Sequence, residues 1–401
     1  MGKQEQKPME YTPEADMGTY QTGSTQPPKH YRGVIAALLI TVTCLGGLAS
    51  ALGIINIRLL AQLEEQADNA SASVHQQGNS LPTKGHTPDN LAPTLPKPHN
   101  WGLELVVPET TDSPSTEEIL SKSTDSSVAI LCQYASGSTA DLNGLVVDAL
   151  GYIVTNAHAL EDASTISVTL SDGRQFPATL VGMDGFTDLA VIFIDAPGLT
   201  EAEFVNSNLL VMGDFLASID QKQTIQAGAL LGNNHSYTVG GGNILLVGTD
   251  LKNFTGPIYN GQGQIAGIGS AFLADCCEGG NKSCAISSIT VKSVVEQIIA
   301  YGFVPGRPCL DVDLETVQTV HQQYWHLPGG LRVTHIEPGA VTAAGLEPGD
   351  IITALNGQNV TDWKSYYQAL WGLTPGQQVQ VQVFREGQYI PLTLTVAQSG
   401  R

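Results

Sequence analysis

Short apolar runs separated by turn residues constrain the fold of this 401-residue chain more than any other feature. From Ser126 onward such runs recur about every 8–12 residues, a spacing typical of antiparallel barrels and sandwiches. The first series comprises Val128–Leu131, Gly144–Val147, Tyr152–Val154, Ile166–Leu170, Ala178–Val181 and Leu189–Ile194. Ser171-Asp172-Gly173-Arg174 is typical of a hairpin turn within this series. A second series runs from Asn208 to Ala285, so the pattern predicts a mostly β fold.

A helix and a hinge follow this β-rich region. Apolar residues at helical spacing predict a helix over Val291–Tyr301, which Gly302 ends. Pro305 to Pro308 is interpreted as a hinge, and beyond it we expect a further unit of about 90 residues. Its predicted elements are strands at Leu331–Ile336, Ile351–Leu355, Gln378–Arg385 and Tyr389–Val396 and helices at Leu314–His321 and Trp363–Leu370.

Near its start the chain carries an uncharged run of 25 residues, Gly33–Ile57. That length is enough to span a bilayer and predicts one transmembrane helix. Lys29 and Arg32 precede the run and Arg58 follows it, a balance that favours a cytoplasmic N-terminus. The C-terminal domains are then expected to lie outside the cytoplasm.

The residues that flank the predicted span are polar. Residues 1–32 predict a disordered tail, and residues 58–124, rich in Ser, Thr and Pro beyond residue 68, predict a linker. Beyond residue 58 there are 13 Lys and Arg against 34 Asp and Glu, a balance of −21. Such an acidic region argues against binding nucleic acid.

Six cysteines are present, one of them within the predicted span. Cys276-Cys277 and Cys284 favour a small disulfide loop, closed through either member of the pair. Zinc is the alternative, but no nearby histidine or paired CxxC supports it. We therefore predict no metal and no cofactor.

Two motifs carry chemistry. Gly151–His158 and Thr187-Asp188-Leu189-Ala190-Val191 supply a histidine and an aspartate in the order of a trypsin-like triad. Together with the anchor and the C-terminal unit, they resemble the HtrA (Deg) family of serine proteases. The unit's Glu347–Ile352 and Asn356-Gly357 resemble that family's PDZ domain. The pair His158 and Asp188 is expected to be hydrogen-bonded.

The resemblance implies a double six-stranded β-barrel of trypsin-like type followed by a PDZ domain. It also implies a single-pass protein of the bacterial cell membrane and assembly as a homotrimer. The expected domains are the tail (1–32), the transmembrane helix (33–57), the linker (58–124), the trypsin-like protease domain (125–303) and the PDZ domain (308–398).

The chain departs from the family at the nucleophile. The family's Gly-Asn-Ser-Gly-Gly-Pro aligns with Lys252–Pro257, which places Phe254 in the serine position. Phenylalanine has no nucleophilic atom, and Lys252 replaces a glycine that shapes the oxyanion hole. Thr255 is the fallback nucleophile, although its methyl group crowds an attack. Ser270 follows the nucleophile position rather than occupying it.

The predicted PDZ domain supplies the candidate peptide site. PDZ domains add an extended peptide to a sheet edge and capture its carboxylate with backbone N–H groups. The predicted contact residues are the loop and strand Gly330, Leu331, Arg332 and Val333 and the helix residues Tyr366 and Leu370. Core packing is the alternative role for the apolar members of this set.

These features predict a membrane-anchored HtrA-like pseudoprotease that binds extended or C-terminal peptide segments outside the membrane. It would act as a scaffold, regulator or chaperone in protein quality control. The expected partners are unfolded or C-terminal segments of exported proteins, and an active HtrA relative. The alternative is an active trypsin-like serine endopeptidase that uses Thr255 or an unrecognised nucleophile.

Overall fold

The computed structural model describes residues 95, 102–108, 116–219, 224–240, 242–252, 254–270, 272–273, 283–336 and 344–399. The predicted tail and the predicted transmembrane helix at 33–57 lie outside these residues. Within the part of the chain that is described, no helix is both long and apolar enough to cross a membrane.

The described structure begins inside the predicted linker. Strand β1 (Leu105–Val106) and helix α1 (Thr116–Ser126) lie there, and Leu103 and Ile119 are buried in the core. The linker prediction is therefore too long at its C-terminal end. Because this segment is dominated by Ser, Thr and Glu, its isolated apolar anchors match neither helical nor strand periodicity.

Seven antiparallel strands form the first sheet. They are β2 (Ser127–Tyr134), β3 (Thr139–Asp148), β4 (Tyr152–Asn156), β5 (Ala163–Thr169), β6 (Gln175–Pro177), β7 (Thr179–Asp184) and β8 (Leu189–Phe193). Their order across the sheet is β6-β5-β2-β3-β4-β8-β7. Each of the six predicted runs overlaps one of these strands. The predicted hairpin turn joins β5 to β6, and Gly173 there has φ of 85°.

Eight strands form the second sheet. Besides β1 they are β9 (Phe204–Val205), β10 (Phe215–Ile219), β11 (Ile225–Val239), β12 (Gly242–Thr249), β13 (Gly256–Tyr259), β14 (Ile265–Gly269) and β15 (Ser283–Ser287). Pairing of β14 with β15 closes β10–β15 into a ring of six strands. The order of the first sheet is open, so the prediction of two six-stranded barrels is not confirmed.

Helix α2 (Ser288–Tyr301) follows the second sheet as predicted. The Ser287 side chain accepts a hydrogen bond from the Thr290 amide at 3.3 Å and so caps the first turn. Gly302 ends the helix with φ of 84°, a left-handed conformation that glycine adopts without strain.

The C-terminal unit has its own six-stranded sheet. Its elements are β16 (Pro308–Cys309), β17 (Val312–Thr316), α3 (Thr319–Trp325), β18 (Leu331–Ile336), β19 (Ile351–Leu355), β20 (Gln358–Asn359), α4 (Trp363–Leu370), β21 (Gln378–Arg385), β22 (Gln388–Thr395) and β23 (Ala397–Gln398). The order is β17-β18-β19-β21-β22, β20 pairs with β19, and β16 pairs with β23. Strand β17 is thus an edge of the sheet.

One predicted helix of this unit is wrong. Leu314–His321 was expected to be helical, whereas residues 312–316 form β17 and only residues 319–325 form a helix. Leu314 and Val317 match helical spacing, but pairing of β17 with β18 overrides that local pattern. Helix α4 agrees with its prediction, and the Asp362–Ser365 capping box fixes its start.

Candidate active site and peptide groove

Adjacent strands bring His158 and Asp188 together. Strands β4 and β8 are antiparallel neighbours with Asn156 opposite Leu189, so the residues just beyond these ends meet. His158 Nδ1 lies 2.9 Å from Asp188 Oδ1, and the His158 backbone N–H donates to the same oxygen at 2.8 Å. The hydrogen bond predicted from the sequence is present. Asp188 orients the imidazole and leaves Nε2 pointing away from the pair.

The Asp188 carboxylate is fully buried and has further donors. The Ser270 hydroxyl donates to Oδ2 at 2.8 Å and the Asn156 side-chain amide donates to it at 3.2 Å. The same Asn156 amide group donates to the Gly269 carbonyl at 3.1 Å. Asp188 has φ of 58°, which Asp tolerates better than most residues. These contacts hold the carboxylate in one place.

The environment of His158 raises its pKa above the ordinary value. Burial by itself would lower the pKa, because it disfavours the charged imidazolium. The hydrogen bond to Asp188 and the negative charges of Asp188 and Glu161 outweigh that effect. The pair therefore favours a protonated imidazole over a wider pH range than a solvent-exposed histidine does.

Ser270 is bound within this network. Its hydroxyl donates to Asp188 and accepts a hydrogen bond from the Phe272 amide at 3.0 Å, and the residue is buried. It supports the aspartate, which agrees with its exclusion as a nucleophile. The Phe272 ring lies 5.5 Å from the imidazole and covers it, a contact that no sequence pattern indicated.

Phe254, in the predicted serine position, packs inward. Its ring lies so close to Gly269 that a Cβ there would sit 2.7 Å from two ring atoms. The half-buried ring also packs against the core of the second sheet. Thr255 is exposed. Among the described residues, no hydroxyl lies within hydrogen-bond distance of His158 Nε2.

The segment before Phe254 uses its backbone amides internally. The Lys252 N–H donates to the Gln226 side chain at 2.7 Å, and the Leu251 N–H donates to the Thr249 hydroxyl at 3.2 Å. Asn253 lies outside the described residues. A backbone N–H already bound in this way cannot also stabilise an oxyanion.

A cleft of about 700 Å³ lies between the two sheets, and neither His158 nor Asp188 lines it. Strands β2 and β3 form one wall, and Pro257 and Tyr259 contribute from the second sheet. Burial raises the pKa of Tyr259 to about 12, although the hydrogen bond between its hydroxyl and that of Ser127 opposes the shift. The tyrosine therefore stays neutral and acts as a wall of the cleft.

The predicted peptide-contact residues of the C-terminal unit lie largely in its core. Leu331, Val333 and Leu370 are at most 1% exposed, and Tyr366 is 4% exposed. At Gly330, whose φ is 154°, a Cβ would lie 2.4 Å from the Ile352 carbonyl oxygen, so glycine is required by close packing. In this structure the apolar residues of the set pack in the core, the alternative role given for them above.

Strand β18 has no open edge at the predicted site. Leu331 and Arg332 pair with β17 on one side and with β19 on the other. Arg332 is exposed and forms an ion pair with Glu315 of β17, at 2.8 Å between Nε and Oε1. Strand addition needs a strand with an open edge, and β17, at the edge of this sheet in the described part of the chain, has one on its outer side.

Comparisons with known proteins agree with the two parts of the structure. A family model described as a trypsin-like peptidase domain matches residues 142–268, and one described as a PDZ domain matches residues 311–396. The chain pairs a trypsin-like peptidase domain with a PDZ domain. His158 and Asp188 lie in the first match, and strands β17–β22 lie in the second.

Two of the relatives are named as DegP or DegP-like proteases. The probable periplasmic serine endoprotease DegP-like of Chlamydia muridarum is 33% identical over 266 residues, 64% of this chain and 53% of that protein. The periplasmic serine endoprotease DegP of Escherichia coli K12 is 30% identical over 278 residues, 65% and 57% of the two chains. These matches support the HtrA (Deg) family. The chain spans about half the length of the relatives it matches.

Solved structures of proteases match 71–72% of this chain and nearly all of their own length. The HtrA-type protease AlgW with a tripeptide is 25% identical, with a TM-score of 0.43, over 72% of this chain and 98% of that one. The serine endoprotease from Yersinia pestis is 25% identical, with a TM-score of 0.41, over 71% and 98%.

The PDZ domain packs closely on the trypsin-like domain. The Tyr367 ring of α4 lies 5.3 Å from the Phe186 ring, and its hydroxyl donates to Glu161 at 3.0 Å. The ring covers Gly185 so tightly that a Cβ there would lie 2.0 Å from it. Burial raises the pKa of Tyr367, with the Glu161 charge adding to the effect. The residues just after His158 and just before Asp188 thus form part of the domain interface.

A buried ion pair lies at the hinge between the domains. Arg307 donates to Asp184 through Nε at 3.1 Å and through a terminal nitrogen at 2.6 Å, and its other terminal nitrogen donates to the Val239 carbonyl at 2.9 Å. Its guanidinium also stacks 5.4 Å from the Phe186 ring centre. The sequence predicts only a hinge in this stretch, because no local pattern indicates that Arg307 pairs with Asp184, which is 123 positions away.

The cysteines follow the predicted pattern in part. Cys284 is disulfide-bonded, and Cys276 and Cys277 lie outside the described residues. Cys132 and Cys309 are free thiols. In the described part of the chain, no cluster of His, Cys, Asp and Glu could hold a metal ion.

Proposed function

We propose that this chain is an HtrA-like pseudoprotease whose peptidase domain does not cleave and whose PDZ domain binds peptides. The observation that carries the first half is the setting of His158. Its pair with Asp188 is intact, yet no described hydroxyl lies within reach of Nε2, and Phe254 packs against Gly269. Acyl transfer needs a nucleophile beside the base, so the pair has no group to activate.

The edge strand β17 and helix α4 supply the peptide groove. Within the described residues no strand pairs with the outer side of β17. An added peptide antiparallel to β17 would end beside the loop before Val312, where Asp311 has φ of 57°. Successive backbone N–H groups in such a turn form an anion-binding concavity, which suits a peptide carboxylate.

The compartment is inferred from two observations. The relatives are named as periplasmic, and Cys284 is disulfide-bonded, a bond that persists in oxidising compartments. We infer that the two domains work outside the cytoplasm and bind unfolded or C-terminal segments of exported proteins. A membrane anchor at 33–57, assembly as a homotrimer and co-assembly with an active relative belong to the same proposal.

A second candidate function is serine-type proteolysis, with Thr255 as the nucleophile. The retained geometry of His158 and Asp188 favours it, because an orienting carboxylate is what a catalytic base requires. Against it stand the exposed position of Thr255, without a hydrogen bond in the described residues, and the bound Lys252 amide.

Labelling with a serine-reactive phosphonate, alongside casein turnover, separates these candidates. The full chain is expected to take up no label, and Phe254→Ser is not expected to restore turnover, because the Lys252 N–H at the predicted oxyanion hole is already bound to the Gln226 side chain. The Ser270→Ala variant is the control for adventitious labelling. Stoichiometric labelling that His158→Ala abolishes would overturn the pseudoprotease proposal.

Peptide binding is measured separately. A fluorescent peptide with an apolar C-terminal residue is expected to bind the full chain, and amidation of its carboxylate is expected to weaken binding. Binding that is indifferent to amidation would contradict carboxylate capture.

A further inference from the structure

From Leu314 to Thr316, the outer side of β17 presents backbone groups at every second residue; the pairing with β18 has a register irregularity between Asp313 and Leu314. The Val317 N–H, just after β17, donates inward to the Gly330 carbonyl, just before β18, at 3.0 Å. Because the direction alternates along a strand, the N–H groups of Thr316 and Leu314 face outward. A peptide added to this edge would pair with these outward groups.

The trypsin-like domain already occupies one of them. The Thr316 N–H donates to Asp162 Oδ2 at 3.3 Å, and the Trp363 indole N–H donates to the same oxygen at 3.0 Å. Thr316 lies in the strand wall of the groove and Trp363 begins the helix wall. A single carboxylate oxygen therefore bridges both walls at one end of the groove.

A second carboxylate lies next to the first. Glu161 is 3% exposed and accepts the Tyr367 hydroxyl hydrogen bond, so both acids of the turn after His158 face helix α4. Asp162 has φ of 56°, which fixes the turn in a conformation that Asp, Asn and Gly tolerate. This end of the groove is closed and negatively charged.

We propose that Asp162 determines which peptides the groove accepts, by length and by charge. The inference rests on the proposed function, that the groove binds peptide C-termini. With its C-terminus beside the loop before Val312, a peptide of about three residues extends along β17 only to Leu314 and leaves Asp162 in place. A peptide of about six or more residues reaches Thr316 and must displace Asp162. A displaced Asp162 then faces the upstream part of the peptide, while Glu161 stays buried against Tyr367. A Lys or Arg there can pair with Asp162, so the preferred long ligands are basic upstream of the C-terminus.

The length test uses fluorescence anisotropy on the full chain. Peptides of about three and about eight residues share the same apolar C-terminal end, and the longer one is uncharged upstream. Asp162→Gly removes the carboxylate without straining the turn. It is expected to tighten binding of the long peptide by roughly tenfold and to leave the short peptide within about twofold. Asp172→Asn, an exposed acid in the β5–β6 turn, is the charge-matched control and is expected to change neither affinity.

The charge test uses Asp162→Asn, which keeps a hydrogen-bond acceptor and removes only the charge. The unmodified chain is expected to bind a long peptide with an upstream Lys more tightly than the same peptide with Gln, and this preference is expected to fall by roughly fivefold or more in the variant.

The outcomes distinguish the two levels of the proposal. If the short peptide fails to bind, the proposed peptide groove and this inference fall together. If the short peptide binds but Asp162→Gly alters both lengths equally, or neither, the assignment of Asp162 is overturned and the groove stands. Circular dichroism of each variant checks that the fold is retained.

Discussion

The buried pair of Arg307 and Asp184 offers the sharpest test of how the two domains are joined. Arg307 is 8% exposed and Asp184 is 3% exposed, so neither can be rehydrated when the other is removed. Removing one partner of such a pair typically costs about 3–5 kcal/mol, because an uncompensated charge stays buried. The Thr187 hydroxyl still donates to Asp184 at 2.9 Å, which places Arg307→Ala near the lower end, at about 3 kcal/mol.

A double-mutant cycle separates the pair from the other contacts of Arg307. Arg307→Ala also loses the Val239 carbonyl and the Phe186 ring, whereas Asp184→Asn removes only the charge and one acceptor. We expect the double variant to be less destabilised than the sum of the single variants, by about 2 kcal/mol. The free energy of unfolding is measured by urea denaturation of the full chain, followed by far-ultraviolet circular dichroism.

The exposed pair of Arg332 and Glu315 is the matched control, since exposed ion pairs contribute about 0–1 kcal/mol. Arg332→Ala is therefore expected to shift the unfolding midpoint little. A loss below about 1 kcal/mol for Arg307→Ala, or strictly additive single variants, would refute the reasoning that burial makes this pair matter.

Three further predictions concern other parts of the chain. Gly330→Ala is expected to lower the free energy of unfolding by at least about 1–3 kcal/mol, because the new Cβ would meet a backbone carbonyl at 2.4 Å. Gly349→Ala is the control, because Gly349 also has a positive φ but has open space around it, and it should cost less in the same urea experiment. Because the pKa of His158 is raised in the folded chain, its pairing with Asp188 contributes full stability only below the pKa of the unfolded histidine, and this contribution is lost as pH rises through the folded pKa. The loss of unfolding free energy caused by Asp188→Asn is therefore expected to be largest below about pH 6 and to shrink at higher pH. A loss that is constant with pH would contradict this. The buried Cys132 thiol, whose pKa burial raises to about 11, should resist alkylation near pH 8 until the chain is unfolded, as mass spectrometry of the peptide would show.

The sequence predicted elements well where one local pattern decided the structure. The first sheet follows from apolar runs broken by turns, and α4 follows from periodicity together with the Asp362 cap. The prediction failed at Leu314–Val317, where a helical spacing of two apolar residues lost to pairing with β18. Edge and interior strands look alike in sequence, so the sequence predicts a peptide site on β18, which is an interior strand.

Some contacts of the candidate site could likewise be predicted from the sequence, and others could not. His158 and Asp188 could be paired from the sequence because their motifs resemble, in order and setting, those of a trypsin-like triad. Phe272 over the imidazole and Asp162 between Thr316 and Trp363 could not, because each contact joins residues far apart through tertiary packing. Neither residue type carries a local signal for such a role, and only the fold brings the partners together.

The Tyr367 ring over Gly185 also bears on how this arrangement can vary among relatives. A single methyl group at position 185 would intrude on the ring, so any chain that docks its PDZ helix in this way must keep glycine there. A relative with a larger residue at the equivalent position has to hold its PDZ domain differently or leave it undocked. One side chain, read from an alignment, would then sort the relatives by domain arrangement before any of their structures is determined.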